Sequence, residues 1–267
     1  MSNGLPSKRT RNLFNPASRT PYRLSRFRLE SFIKCPRCFY LDRRLGIEPP
    51  PIPGYTLNSA VDQLLKNEFD GYRRRKMPHP LMTQSGFDGI PWDHSSLDRW
   101  RDAFKGVEYH HPPTNFVIFG AVDDLWINRE NKIFVVDYKS TSTSQPITLD
   151  SPYRQAYKRQ MEIYQWLLRK QGLDVSDTGY FVYCNGDKNR RSFDSRLEFS
   201  IEVIPFEGKD GWIEPTIIAA HECLLNEQLP DCPEKCFHCH YRKAAGRMEG
   251  NGHEPAGRPR EEQGELF

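Results

Sequence analysis

Two apolar runs interrupted by charge constrain this chain more than any other feature. Phe116 to Val122 and Ile133 to Val136 are rich in β-branched and aromatic residues, so each reads as a strand. Asn128-Arg129-Glu130-Asn131 supplies turn chemistry between them. A hairpin centred near Arg129 or Glu130 sets Asp123 opposite Asp137. Opposed residues share a sheet face, and Lys139 joins that face because strand side chains alternate with period two. Two carboxylates and a lysine are thereby gathered at one point. Carboxylates this close repel unless a cation lies between them, and a hard dication with oxygen ligands is the natural occupant. A slip of one residue would turn Asp123 to the other face. The competing reading makes the acids solvated strand ends and Lys139 a surface charge. It is favoured for either acid alone and weakens for the trio, since charges are depleted in strands and these interrupt apolar runs.

A chain of 267 residues can bury one substantial core, as one large domain or two small ones. No apolar run approaches the ~20 residues that span a bilayer. Met1 to Arg11 lacks the hydrophobic centre of a secretory signal, so a cytoplasmic protein with no membrane partner is expected. The net charge of +3 names no partner, but its distribution is uneven. Lys8, Arg9, Arg11, Arg19, Arg23, Arg26 and Arg28 all precede the first acid, Glu30. That segment reads either as a phosphate-contacting arm or as a disordered basic tail. From Gly246 to Phe267 the composition is that of a disordered tail.

Ser25 caps an expected helix carrying Leu29, Phe32 and Ile33, which Cys35-Pro36 disturbs. A second helix is expected over Leu57–Tyr72, with Leu57, Val61, Leu64, Leu65, Phe69 and Tyr72 as its apolar stripe. Met77 to Pro91 reads as irregular. Ser95 or Ser96 can cap a short helix bearing Leu97, Trp100 and Phe104. Val107 to His111 reads as a strand turned by Pro112 to Asn115 into the strand that bears Asp123. Beyond Lys139 follow a helix from about Pro152 to Lys170, strands over Gly179–Cys184 and Leu197–Ile204, and a helix over Trp212–Asn226 carrying Ile213, Ile217, Ala220 and Leu224. This order predicts a mixed sheet flanked by helices in one domain. Tyr157, Gln160 and Tyr164 fall on one face of the helix after the acids, where a buried Gln and two hydroxyls need partners. On the helix alone, an amphipathic helix with aromatic core residues and an edge glutamine is the better explanation of that face.

Cys35-Pro-Arg-Cys38 lies near the start of the chain and Cys236-Phe-His-Cys239 near its end, with Cys232 just upstream. Without an export signal, two such pairs read as a metal site rather than disulfides. Four thiolates suit zinc or an iron–sulfur cluster, and would join the two ends of the domain. His238 and His240 are candidate substitute ligands. Cys184 and Cys223 read as free buried thiols.

Gly120-Ala-Val-Asp123, Val136-Asp137-Tyr-Lys139-Ser140 and Tyr157-x-x-Gln160-x-x-x-Tyr164 together resemble the motif set of RecB-like nucleases of the PD-(D/E)xK superfamily. The flanking cysteines resemble the subgroup that includes the CRISPR-adaptation exonucleases and AddB-type helicase–nucleases, which hold a [4Fe–4S] cluster. The resemblance covers about Leu24 to Tyr241. It implies an α/β fold with a restriction-endonuclease-like core. A nuclease domain would span residues 22–245, between a disordered basic arm over 1–21 and a disordered tail over 246–267. It implies a DNA nuclease dependent on Mg²⁺ or Mn²⁺, exonucleolytic among the possibilities, acting in repair, recombination or CRISPR-type processing. Asp123, Asp137 and the Tyr138 carbonyl would hold the metal, Lys139 would be catalytic, and Gln160 and Tyr164 would orient the strand. The family's early Gly-x-x-x-His is here Asn58-Ser-Ala-Val-Asp62, so Asp62 stands where a histidine ligates. Cys35, Cys38, Cys236 and Cys239 would hold [4Fe–4S] or, alternatively, structural zinc, with Cys232 as a substitute for Cys38. Expected partners are DNA, single-stranded or with free ends, and a helicase or adaptation complex. The rival readings are an inactive nucleic-acid-binding module on the same fold and an interaction protein built on a zinc site.

Overall fold

Residues 8–50 and 54–250 are described by a computed structural model of the chain. Strand β1 (Tyr22–Ser25) runs straight into helix α1 (Arg26–Lys34), where the Ser25 hydroxyl accepts from the Arg28 amide at 3.3 Å. Pro36 cannot continue that helix, so Cys35 adopts an extended backbone and α2 (Pro36–Arg43) starts afresh. One cysteine thus ends one helix and caps the next. Helix α3 (Thr56–Arg75) extends the expected one and ends on left-handed Lys76 (φ 53°). It buries Leu65 and Phe69, whereas Leu57 and Leu64 of the expected stripe face solvent.

The stretch read as irregular contains α4 (Pro80–Gln84), begun by Pro80 and capped by His79, and the short strand β2 (Gly89–Pro91). Helix α5 (Leu97–Arg101) follows, without a side-chain cap from Ser96; Leu97 and Trp100 are buried but Phe104 is exposed. Strands β3 (Val107–His111) and β4 (Phe116–Gly120) form the expected antiparallel pair.

The continuous strand expected over 116–123 is broken. β4 stops at Gly120 and belongs to a three-stranded sheet of order β1-β4-β3, with β1 parallel to β4. The chain bends and re-enters as β5 (Asp124–Asn128) in a second sheet. That sheet has order β2-β5-β6-β7-β8, built from β6 (Ile133–Thr141), β7 (Thr178–Gly186) and β8 (Phe199–Glu207). Strands β6 and β7 are parallel, crossing over through α6 (Gln155–Lys170) after one 3₁₀ turn at Pro152–Arg154. Helix α7 (Ile213–Leu225) buries Ile213, Ile217, Ala220 and Leu224 as the periodicity predicts. Helix α8 (Phe237–Gly250) closes the described chain and includes Gly246 to Gly250, which composition assigned to a disordered tail. Residues 251–267 lie outside the described residues.

The fold is therefore mixed α/β, with its strands divided between two sheets where the sequence suggested one. The β5–β8 sheet separates two packed layers. Leu125, Val135 and Phe181 face the main core with Met161 of α6 and Ile217 of α7. Their neighbours Trp126, Val136, Tyr138 and Val182 face a second core with Leu65 and Phe69 of α3. Each residue of β6 is thus committed to a face by its parity. Of the basic arm, residues 1–7 lie outside the described residues, while the rest is held to the body: Phe14 is buried and the Arg9 amide donates to Gly46 O at 2.9 Å. Among the described residues no helix is long and apolar enough to cross a membrane.

Candidate active site and cysteine centre

Strand β6 sends Asp137 and Lys139 to the α6 side of the sheet. Asp137 is completely buried. Its Oδ1 accepts from Gln160 Nε2 at 2.7 Å, and the same amide donates to the Tyr164 hydroxyl at 3.1 Å. The other oxygen, Oδ2, is in close ion-pair contact with Lys139 Nζ. The Lys139 ammonium also sits 4.8 Å from the centroid of the Tyr157 ring.

Asp123 reaches the same place from the bend between the two sheets. The β5–β6 ladder pairs Asp124 with Val136, which continues to Asp123 opposite Asp137, the register centred on Glu130. Just past the last ladder pair, the Tyr138 amide donates to Asp123 Oδ2 at 3.0 Å. A strand residue's N–H and C=O point to the same edge, so the Tyr138 carbonyl is aimed toward Asp123 as well. From α3, Lys66 Nζ lies 2.7 Å from Asp62 Oδ2 and 3.4 Å from Asp123 Oδ1. The tertiary structure thus brings Asp62, Asp123, Asp137, Tyr138, Lys139, Gln160 and Tyr164 to one site.

Burial raises the Asp137 carboxyl to about 7; Lys139 pulls it down and Asp123 pushes it further up. Lys139 is disfavoured as an ammonium by burial, but Asp137 and Asp123 outweigh this and raise its pKa. Asp62 is raised by burial and by Asp123, against the pull of Lys66. Burial also opposes charge on Lys66, yet Asp123 and Asp62 raise it.

Several contributors escaped the sequence reading. Asp124, next to Asp123, points to the opposite face and is completely buried. It accepts from the Tyr138 hydroxyl at 2.6 Å and pairs with Arg73 of α3 and, at 3.1 Å, with Arg101 of α5. Arg101 Nε in turn donates to the Asp123 carbonyl at 2.9 Å, so this network fixes the backbone beneath the site. The adjacency of two aspartates in a strand was its signal, since neighbours must serve opposite faces. Lys66 gave no signal beyond helical spacing from Asp62. Gly120 is needed for close approach: a Cβ there would lie 2.6 Å from Tyr164 Cε1 and 3.1 Å from Arg26 Cγ.

At the far side of α1, the two cysteine pairs converge. Sulfur separations are 3.8 Å for Cys35–Cys239, 3.7 Å for Cys38–Cys236 and 3.5 Å for Cys38–Cys239, and all four sulfurs lie within 4.8 Å of one another. The Cys38 amide donates to Cys35 Sγ at 3.4 Å, an arrangement that suits a thiolate. Cys232 packs against the group but is outside the four, and His238 and His240 are exposed beside it. Cys184 is buried as expected, while Cys223 is only partly so.

The profile of the PD-(D/E)XK nuclease superfamily matches residues 23–244. The chain belongs to this superfamily. No curated protein matches it significantly. Among solved structures it is similar to one titled "Crystal structure of SSO0001", at 14% identity and a TM-score of 0.33, with 78% of each chain covered.

Membership makes this a nuclease-type fold, and Asp137-Tyr138-Lys139 has the (D/E)-x-K form that gives the superfamily its name. PD-(D/E)XK nucleases use divalent metals, and the residues here suit one. Asp137 is buried and the charge of Asp123 works against its ionisation, so a dication reached by both carboxylates would relieve the repulsion with hard oxygen donors. The four-cysteine site is a second, chemically distinct place for a metal, since soft sulfur donors select different ions.

Proposed function

We propose that this chain is a metal-dependent DNA nuclease hydrolysing phosphodiester bonds, with RecB-like use of Gln160 and Tyr164. The observation that carries the reading is the buried Asp137. It has one oxygen held by Gln160 and the other beside Lys139, with Asp123 pinned to the next amide of the same strand. A buried carboxylate whose ionisation a second acid opposes is relieved when a dication is shared by both. Asp123, Asp137 and the Tyr138 carbonyl would hold Mg²⁺ or Mn²⁺, and Asp62, paired with Lys66, is a further candidate ligand. An ion held there would supply a bound water of lowered pKa and positive charge to offset that of the phosphate.

The protein's own groups then divide the work. Lys139 remains an ammonium because its acidic neighbours raise its pKa, so it acts as a donor and positive charge rather than as a base. It orients the attacking water and stabilises charge developing on the phosphate. Gln160 and Tyr164 hold the orientation of Asp137. Strands with free ends, single-stranded in particular, are the proposed substrates, within a domain over residues 22–245 of a cytoplasmic protein.

For the cysteine centre we propose zinc in a structural role. Thiolates about 2.3 Å from one ion stand about 3.8 Å apart in a tetrahedron. Three of the sulfur separations are 3.5–3.8 Å and all lie within 4.8 Å, which supports a single ion over the wider spacing that an iron–sulfur cluster needs.

The deciding experiment incubates labelled single- and double-stranded DNA with Mg²⁺ or Mn²⁺, beside Lys139→Ala and Asp137→Ala. Cleavage by the parent, lost in both variants, is expected. Lys139→Ala should keep metal-dependent DNA binding, as befits a group acting mainly in the transition state, whereas Asp137→Ala should lose tight metal binding too. Cleavage by Lys139→Ala at the parental single-turnover rate would place the activity elsewhere.

A further inference from the structure

The cluster of basic residues ahead of Glu30 resolves into two kinds. Arg9 pairs with Asp42 and Glu48, Arg23 with Glu108, and Arg28 with Asp42. Lys8, Arg11 and Arg19 are exposed. Arg26 is different: it is half-buried, yet among the described residues its guanidinium has no carboxylate within ion-pair distance. It is the first residue of α1 and projects toward the acid–lysine site. There the guanidinium lies 6.0 Å from the centroid of the Tyr164 ring. Burial disfavours its charge, but the Tyr164 hydroxyl, Asp137 and Asp123 all favour it.

The placement is built rather than incidental. Gly120 leaves just enough room for the stem of Arg26 to pass beside Tyr164, because a Cβ would meet both. Of the arginines near the site, buried Arg73 and half-buried Arg101 spend their donors on carboxylates. Arg26 sets its guanidinium beside Tyr164, where the acids of the site favour its charge without an ion pair to it. A guanidinium in that position matches a phosphate, which presents two oxygens to a bidentate donor.

We propose that Arg26 is a substrate-positioning residue that binds a phosphate of the nucleic-acid strand presented to Asp123, Asp137 and Lys139. The inference rests on the nuclease reading and adds the group that seats the anion. It also explains how a strand of like charge can approach an acidic site: one fixed cation beyond Lys139 and Lys66 meets it.

The test uses the full-length protein with Arg26→Gln and Arg26→Lys, each checked by thermal melting. DNA binding is measured by fluorescence anisotropy with Ca²⁺ in place of Mg²⁺, across a salt series. Mn²⁺ affinity is measured by calorimetry without DNA. Arg26→Gln should weaken binding by on the order of tenfold or more and reduce the salt slope by about one contact. Its Mn²⁺ affinity should be unchanged or increased, because the acids that would hold the ion lose a competing cation. Arg26→Lys, which keeps charge but not the fork, should fall between, and serves alone if the Gln variant does not fold. Circular single-stranded DNA and linear strands with or without a 5′-phosphate separate an internal phosphate from a terminal one; either result supports the assignment. Unchanged DNA affinity and salt slope in Arg26→Gln would overturn it, as would an equal loss of Mn²⁺ binding. A parent protein that binds and cleaves no DNA would instead sink the nuclease reading itself.

Discussion

At the scale of single residues, Asp137 carries the clearest pH signature. Its carboxyl is held up to about 7 by burial, against an unfolded value of about 3.9. Between those values the folded protein keeps a proton that the unfolded chain has released, so this group makes stability fall as pH rises from about 4 to about 7. Urea denaturation in chelator should show that decline in the parent and not in Asp137→Asn. A metal must displace the same proton, so Mn²⁺ affinity should drop about tenfold per pH unit below about 7. Affinity that is flat across that range would mean Asp137 is ionised throughout. Gly120→Ala is the sharpest packing test. The added methyl meets Tyr164 and Arg26 and should cost about 1–3 kcal/mol, with loss of cleavage exceeding loss of stability.

At the scale of elements, α8 depends on the cysteines. Among its residues only Cys239 is buried, and a helix of 14 residues with no packed apolar face is marginal in water. Cys236 and Cys239 at its start tie it to Cys35 and Cys38, across the junction of α1 and α2. Elemental analysis should find one zinc per chain. Cys239→Ser or a strong chelator should remove it and expose α8 to proteolysis and hydrogen exchange before the rest of the molecule unfolds. Iron and sulfide in the purified protein, with absorbance near ~400 nm, would replace zinc by a cluster.

Across the whole molecule, the two faces of the β5–β8 sheet serve different ends. The α6 face holds the acids and lysine, and the α3 face braces them through Asp124, Arg73, Arg101 and the Tyr138 hydroxyl. Asp124→Ala leaves two buried guanidinium groups without their shared carboxylate and should cost about 3–5 kcal/mol in chemical denaturation. Because Arg101 also holds the Asp123 carbonyl, activity should fall even at temperatures where the variant stays folded. A loss near zero would mean that the network is solvated in practice.

Local chemistry was enough to read much of this protein from its residues. Strand alternation put Asp137 and Lys139 on one face, turn residues set the register that opposes Asp123, and helical spacing aligned Gln160 with Tyr164. Ser25, Pro36 and the periodicity of α7 placed helix ends and faces in the same way. What sequence could not supply were facts about space. The run from Phe116 to Asp123 is locally all strand, yet a bend after Gly120 divides it between two sheets, because β1 claims β4 as a parallel partner. Arg26, Lys66 and Asp124 became meaningful only once distant elements met around them. Periodicity reports which face a residue takes, but the neighbour across that face is chosen by packing between segments far apart in the chain, and only the tertiary structure decides it.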